Sequence, residues 1–139
     1  MLQPLPPSRV LHEWGAISRG LKAAIKRDPK ANWLDILGMA ISGQMQFWRC
    51  SGPSDGFLAT EVQPVAGTLR WALAIIYAGG IGNGRDDMRA MMEIIELAAL
   101  KAKCSEVRFE GRAGWRRVFH DYQVTPGPDG RWRYRKAIT

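Results

Sequence analysis

Apolar residues first recur at helical spacing. Val10, Trp14, Ile17, Leu21 and Ala24 or Ile25 fall on one face, while Arg9, Glu13, Arg19, Lys22 and Lys26 fall mostly elsewhere on the wheel. Residues three and four apart share a helical face, so this pattern predicts an amphipathic helix over residues 9–27. Ser8 is its expected N-cap, and Asp28-Pro29 its stop. The prolines among Met1–Pro7 deny a helix there, so residues 1–7 read as an extended arm ahead of a single domain at 8–139. A second helix follows Asn32, with Trp33, Ile36, Leu37, Ala40 and Ile41 on one face and Gly43 at its end.

The period then changes. Met45 to Cys50 reads as a strand, Ser51–Gly56 as a turn, and Phe57 to Gln63 as a second strand. Thr68 to Ala78 is a third strand, and its apolar run Trp71–Ala78 suits a central place covered on both faces. Four glycines follow (Gly79, Gly80, Gly82, Gly84), then a long helix over 85–103. Its buried stripe is Met88, Met91 or Met92, Ile95, Ala98 or Ala99, and Ala102, with Asp86 and Asp87 in the first turn. Ser105 to Glu110 reads as a strand, Trp115 to Phe119 as a short helix, and 123–125 with 131–138 as a hairpin.

Composition narrows the classes. The 139 residues are 46% hydrophobic and 24% charged, which excludes a wholly disordered chain and leaves room for one core. The run Trp71–Ala78 is far short of a membrane span, and Met1–Pro7 lacks the basic start and apolar core of a signal peptide. The expected location is therefore cytoplasmic. Cys50, Cys104, His12 and His120 are each isolated, so no metal site is expected. The net charge is +7. Between Arg108 and Thr139, eight basic residues stand against three acidic ones, a local excess of five. Such an excess favours polyanionic partners. Arg131, Arg133 and Arg135 alternate with Trp132 and Tyr134, which on a strand puts three guanidinium groups on one face and two aromatics on the other. Such a charged strand can also serve only to guard a sheet edge.

This order of elements resembles the GCN5-related N-acetyltransferase (GNAT) fold over residues 8–138. More narrowly, Ala40-Ile41-Ser42-Gly43 before Met45-Gln46-Phe47-Trp48, the long helix ending in Lys103-Cys104, and above all Glu110-Gly111-Arg112-Ala113-Gly114-Trp115-Arg116-Arg117-Val118 resemble the small GNAT-like proteins of phages and prophages. The resemblance implies an α+β fold, a mixed and mostly antiparallel central sheet flanked by helices. It implies acetyl-CoA as co-substrate, an amine as acyl acceptor, and a central strand splayed from its neighbour to pair with the acyl-pantetheine arm. The pyrophosphate would sit at the start of the long helix, where unpaired N–H groups and the dipole favour anions. The cofactor-binding residues so implied are Tyr77, Ala78, Gly79, Gly80, Gly82, Asn83, Gly84 and Arg85. The chain departs from the family's phosphate motif at two points. Gly79 stands where Arg or Gln is usual, and Asp86 and Asp87 place negative charge in the first helical turn.

The resemblance further implies Glu61 as general base and Tyr122 as general acid, with Tyr77 and His120 as other proton-carrying groups. Each has a purely structural alternative: Glu61 as a solvated strand residue, Tyr122 as a packing residue, His120 as a surface residue. Trp115 either closes an acyl pocket or anchors its loop in the core, and Cys104 reads as a small core residue. Three functions follow. The first is an acetyl-CoA-dependent N-acyltransferase. The second is an inactive, virion-associated or binding protein that uses Arg112, Arg116, Arg117, Arg131, Arg133 and Arg135 on DNA or a protein. The third is a GNAT-fold enzyme acting on nucleobases.

Overall fold

The computed structural model describes residues 2–51, 56–81 and 84–139. Strand β1 (Leu2–Leu5) precedes helices α1 (Pro7–His12) and α2 (Trp14–Lys26). The single helix expected over 9–27 is thus broken, at Glu13, whose φ of −102° and ψ of 11° leave the helical region. The Glu13 carboxylate is held at this break by Arg49 and Arg9. Helix α1 begins at Pro7 rather than after Ser8, because proline's fixed φ suits a first helical turn that needs no amide donor. The extended start is a strand of the sheet, paired antiparallel with β2 (Met45–Cys50) from Leu2↔Cys50 to Leu5↔Phe47. Pro4 is tolerated because this strand lies at the sheet's edge. Helix α3 (Trp33–Ile41) is capped by Asn32, whose Oδ1 accepts the N–H groups of Leu34 (2.9 Å) and Asp35 (3.3 Å).

Strands β3 (Gly56–Pro64) and β4 (Trp71–Gly79) follow, then α4 (Arg85–Lys101), β5 (Glu106–Gly111), a 3-10 turn at Ala113–Arg117, β6 (Gln123–Pro126) and β7 (Trp132–Ala137). Strand β4 starts three residues later than its pattern suggests. Val65 N–H bonds Arg70 O (2.9 Å) and Thr68 Oγ1 bonds Val65 O (2.8 Å), which keeps 65–70 in a turn. The strand order is β1-β2-β3-β4-β5-β7-β6. Pairing is antiparallel for β1–β2, β2–β3, β5–β7 and β6–β7, and parallel for β4–β5. This is the mixed, mostly antiparallel sheet with flanking helices of an α+β fold.

The chain divides into two compact units, Met1–Glu61 with Ile76–Ile81, and Val62–Ile75 with Gly82–Thr139. In the first, Ile17, Leu21 and Ile25 of α2 and Ile36 and Ala40 of α3 are buried with Phe47, Phe57, Ala59 and Tyr77. In the second, α4 buries Met91, Met92, Ile95 and Ala99. Phe109 stacks on Tyr134 with ring centroids 4.8 Å apart and meets Phe119 and Tyr122 at 5.4 Å each. Aromatic pairs of this kind add about 0.5–1.5 kcal/mol beyond the area they bury.

Candidate functional site

The β4–β5 ladder is short. It joins Ala72–Ile75 to Glu106–Phe109, and β4 then runs on through Ile76–Gly79. That extension lies in the first unit, and three of its features bear on chemistry.

The first is close backbone approach. A Cβ built on Gly79 would overlap the carbonyl oxygen of Gly20 in α2, and one on Gly56 would come within 2.7 Å of Gly80 O. Only glycine lets a helix and a strand end press together this closely. This gives a steric reason for the missing Arg or Gln at position 79, since no side chain fits there.

The second is Tyr77. It is buried, and its hydroxyl donates to Asp28 Oδ2 at 2.7 Å. Burial, that hydrogen bond, and the charges of Asp28 and Glu61 push the phenol well above its ordinary pKa, so Tyr77 remains a protonated donor. The third is Glu61 itself, on β3, partly exposed and close enough for its charge to act on Tyr77. Asp28 was legible in the sequence only as part of a helix stop. Nothing in the local pattern announced that a strand tyrosine 49 residues later would seek it.

The second unit holds the start of α4. Gly84 there has φ of 115°, a conformation suited to glycine, and Met88 N–H bonds Gly84 O at 3.1 Å. Among the described residues no side chain caps this end, and Asp86 and Asp87 are exposed in the first turn beside exposed Arg85. Gly82 and Asn83 lie outside the described residues. Tyr122 is buried in this unit, its hydroxyl 2.7 Å from Glu96 Oε2. Burial first, then the bond to Glu96 and the charges of Glu96 and Asp121, raise its pKa strongly. Lys136 bridges Glu96 (2.9 Å) and Asp121 (2.8 Å). His120 is exposed, 3.2 Å from Arg89 Nη1. Cys104 is buried, which pushes its thiol up.

Arg133 and Arg135 are exposed on β7, on the opposite side from Trp132 and buried Tyr134. Arg131 precedes the strand, half-buried, and donates to Glu110 O at 3.1 Å. Arg135 lies 3.7 Å from Glu106 and bonds Gln123 at 3.2 Å. Arg112, Arg116 and Arg117 are exposed around the 3-10 turn, and the Arg116 guanidinium lies 5.2 Å from the Trp132 ring. Trp115 is half-buried and packs against Phe109 at 6.0 Å. Among the described residues, no group of acidic, histidine and cysteine side chains forms a metal site, and no helix is long and apolar enough to cross a membrane.

No protein-family profile matches the chain, and no curated protein sequence matches it. Solved structures do. A probable acetyltransferase from Staphylococcus epidermidis superposes with a TM-score of 0.72 at 6% identity, covering 100% of this chain and 99% of that one. Arabidopsis thaliana NAA60, in complex with acetyl-CoA, gives 0.65 at 13% identity over 99% and 98% of the two chains. A GNAT-family acetyltransferase from Listeria monocytogenes gives 0.60 at 12% identity over 99% and 94%. At these identities the likeness defines the fold, and the fold is that of the GNAT acetyltransferases.

Proposed function

We propose that this protein is an acetyl-CoA-dependent N-acyltransferase acting on an amine. The observation that carries the reading is the four-residue extension of β4 past its ladder with β5. Backbone N–H and C=O groups of Ile76–Gly79 are suited to pair with an extended, amide-containing arm, because such an arm can bond to a strand as another strand would. In the second unit, the first turn of α4, after Gly84, presents amide N–H groups of the kind that favour phosphate. The thioester of acetyl-CoA would supply the activated acyl group. Glu61 is the group that takes the acceptor's proton, directly or through one water. Tyr77, kept protonated, holds Asp28 in place. Tyr122 is the second proton-carrying group of the reading, with its hydroxyl committed to Glu96 in the resting state. The phage- and prophage-type origin is part of the same reading and rests on the Ala40–Gly43 and Met45–Trp48 strings, the helix ending in Lys103-Cys104 and, above all, the Glu110–Val118 string.

A thermal melt tests it. A ligand that binds only the folded state raises stability by about 2.7 kcal/mol at a hundred times its Kd, so acetyl-CoA should lift Tm progressively with concentration. No lift at millimolar acetyl-CoA removes the proposal. Asp86 and Asp87 oppose a phosphate, at roughly 0.3–1 kcal/mol each. The Asp86→Asn, Asp87→Asn pair should therefore bind acetyl-CoA more tightly, by several-fold or more.

A further inference from the structure

Asp28, in the turn between α2 and α3, is half-buried and fixed at both oxygens. Tyr77 donates to Oδ2 at 2.7 Å and the Lys30 N–H to Oδ1 at 3.0 Å. Among the described residues no Lys, Arg or His pairs with it. Glu96 holds Tyr122 in the same way and does have its cation, Lys136. Asp28 also faces a cleft of about 300 Å³, walled by Lys22, Ile25, Lys26, Ala31 and Trp33. Lys22 and Lys26 are one turn apart on α2, exposed, and without a carboxylate partner among the described residues. The cleft therefore presents one anchored negative charge, two free positive charges and an apolar wall.

We infer that this cleft binds the acyl acceptor, and that the acceptor is a small dipolar amine. Its ammonium group meets Asp28, its acidic group meets Lys22 and Lys26, and an apolar or aromatic body lies on Trp33 and Ile25. The assignment as acceptor rests on the acyltransferase reading; the binding itself does not. Other ligand types fit less well. A plain polyamine would be repelled by the two lysines, and a plain anion would leave Asp28 without a cation. An uncharged apolar molecule would strip water from three charges and pair none of them. The cleft is also tied to the proposed reaction centre, because Tyr77 stands on the same β4 extension that would take the thioester arm.

L-Phenylalanine is the probe, compared with phenethylamine, which lacks the carboxylate, and N-acetyl-L-phenylalanine, which lacks the charged amine. Binding is read by amide and indole NMR shifts without acetyl-CoA. Phenylalanine should shift Lys22, Lys26, Asp28 and Trp33, and each analogue should bind about tenfold more weakly or worse. Lys22→Met with Lys26→Met, both exposed and so compatible with the fold, should bring phenylalanine down to the level of phenethylamine. Asp28→Asn should bring it down to the level of the acetylated analogue. Equal affinity for all three ligands, shifts elsewhere in the molecule, or no binding of phenylalanine at roughly 20 mM overturns the inference. The acetyl-CoA melt separates the two claims. A melt that rises while phenylalanine fails to bind sinks this site alone, and phenylalanine binding without a rise in the melt keeps the site and sinks the transferase.

Discussion

Tyr77 and Tyr122 each donate a 2.7 Å hydrogen bond to a carboxylate, Asp28 in the first unit and Glu96 in the second. Around Tyr122 the charges are balanced. Lys136 bridges Glu96 and Asp121 and lies 5.8 Å from the Tyr122 ring, and Arg89 stands 3.8 Å from Asp121. Around Tyr77, among the described residues, the carboxylate has its hydrogen bonds but no cation, and two lysines nearby have no anion. A finished network of the first kind supports the fold, because every charge taken from water has a partner. A network left open beside a cleft is costly unless something arrives to complete it. On the proposal above, the Tyr77 region is the one that a ligand completes.

The largest effect that can test this contrast is steric. Gly79→Ala drives a Cβ into the Gly20 carbonyl, a backbone atom of a packed helix with nowhere to go. Overpacking of this kind should cost about 3 kcal/mol, read by denaturant unfolding. Gly111→Ala in the second unit meets the ring of Trp115, which is half-buried and able to turn aside, so its cost should be nearer ~1 kcal/mol. Equal costs for the two variants would show that the pressed contact at the end of β4 is no tighter than a side-chain contact.

Lysine substitutions probe the charges. Lys136→Met leaves Glu96 and Asp121 without their shared cation and should cost about 2 kcal/mol, less than a fully buried pair because all three groups keep some solvent. Lys22→Met and Lys26→Met should each stay within about 0.5 kcal/mol of the parent, since both lysines are exposed and neither holds a carboxylate partner among the described residues. A loss at Lys22 or Lys26 as large as at Lys136 would mean that these lysines serve the fold, and the open cleft would lose its meaning.

How much of this was legible depended on range. Met45–Cys50 as a strand follows from local pattern and agrees residue for residue, and the glycine cluster ending the central strand before the long helix was visible as composition. The break at Glu13 was not, because the local apolar period runs straight through it, and the Arg49 that holds the Glu13 carboxylate there lies on a strand 36 residues away. The same holds for the candidate site. Lys22 and Lys26 read as the wet face of a helix and Asp28 as its stop, and each description is locally right. What fixes Asp28 at the cleft is Tyr77, and a single sequence carries no sign of the 2.7 Å bond between those two residues. Arg131 lies one residue ahead of the strand in extended backbone, and the alternation with Arg133 and Arg135 gives no sign that its guanidinium donates to Glu110 O.

The smallest effect is the pH dependence of the balanced network. Burial alone would raise the pKa of Asp121, but the Lys136 hydrogen bond, a backbone hydrogen bond, and the charges of Lys136 and Arg89 outweigh it and lower the pKa below the ordinary carboxylate value. A carboxyl whose folded pKa is depressed adds stability that is complete above its unfolded value, near 3.9, and is lost as pH falls through the folded one. Lys136→Met removes the main cause, so part of the gap between parent and variant at pH 7 should close at low pH. Asp121 is partly exposed, and solvent screening limits its share to about 0.5 kcal/mol. Denaturant unfolding of both proteins at pH 7 and at about pH 3 reads the change. Among the described residues the Tyr77 region offers no such bridge for acid to break, so the gap between the Lys22→Met variant and the parent should be the same at both values. A gap at Lys136 that does not move with pH, or one at Lys22 that does, would reverse which of the two regions is already complete.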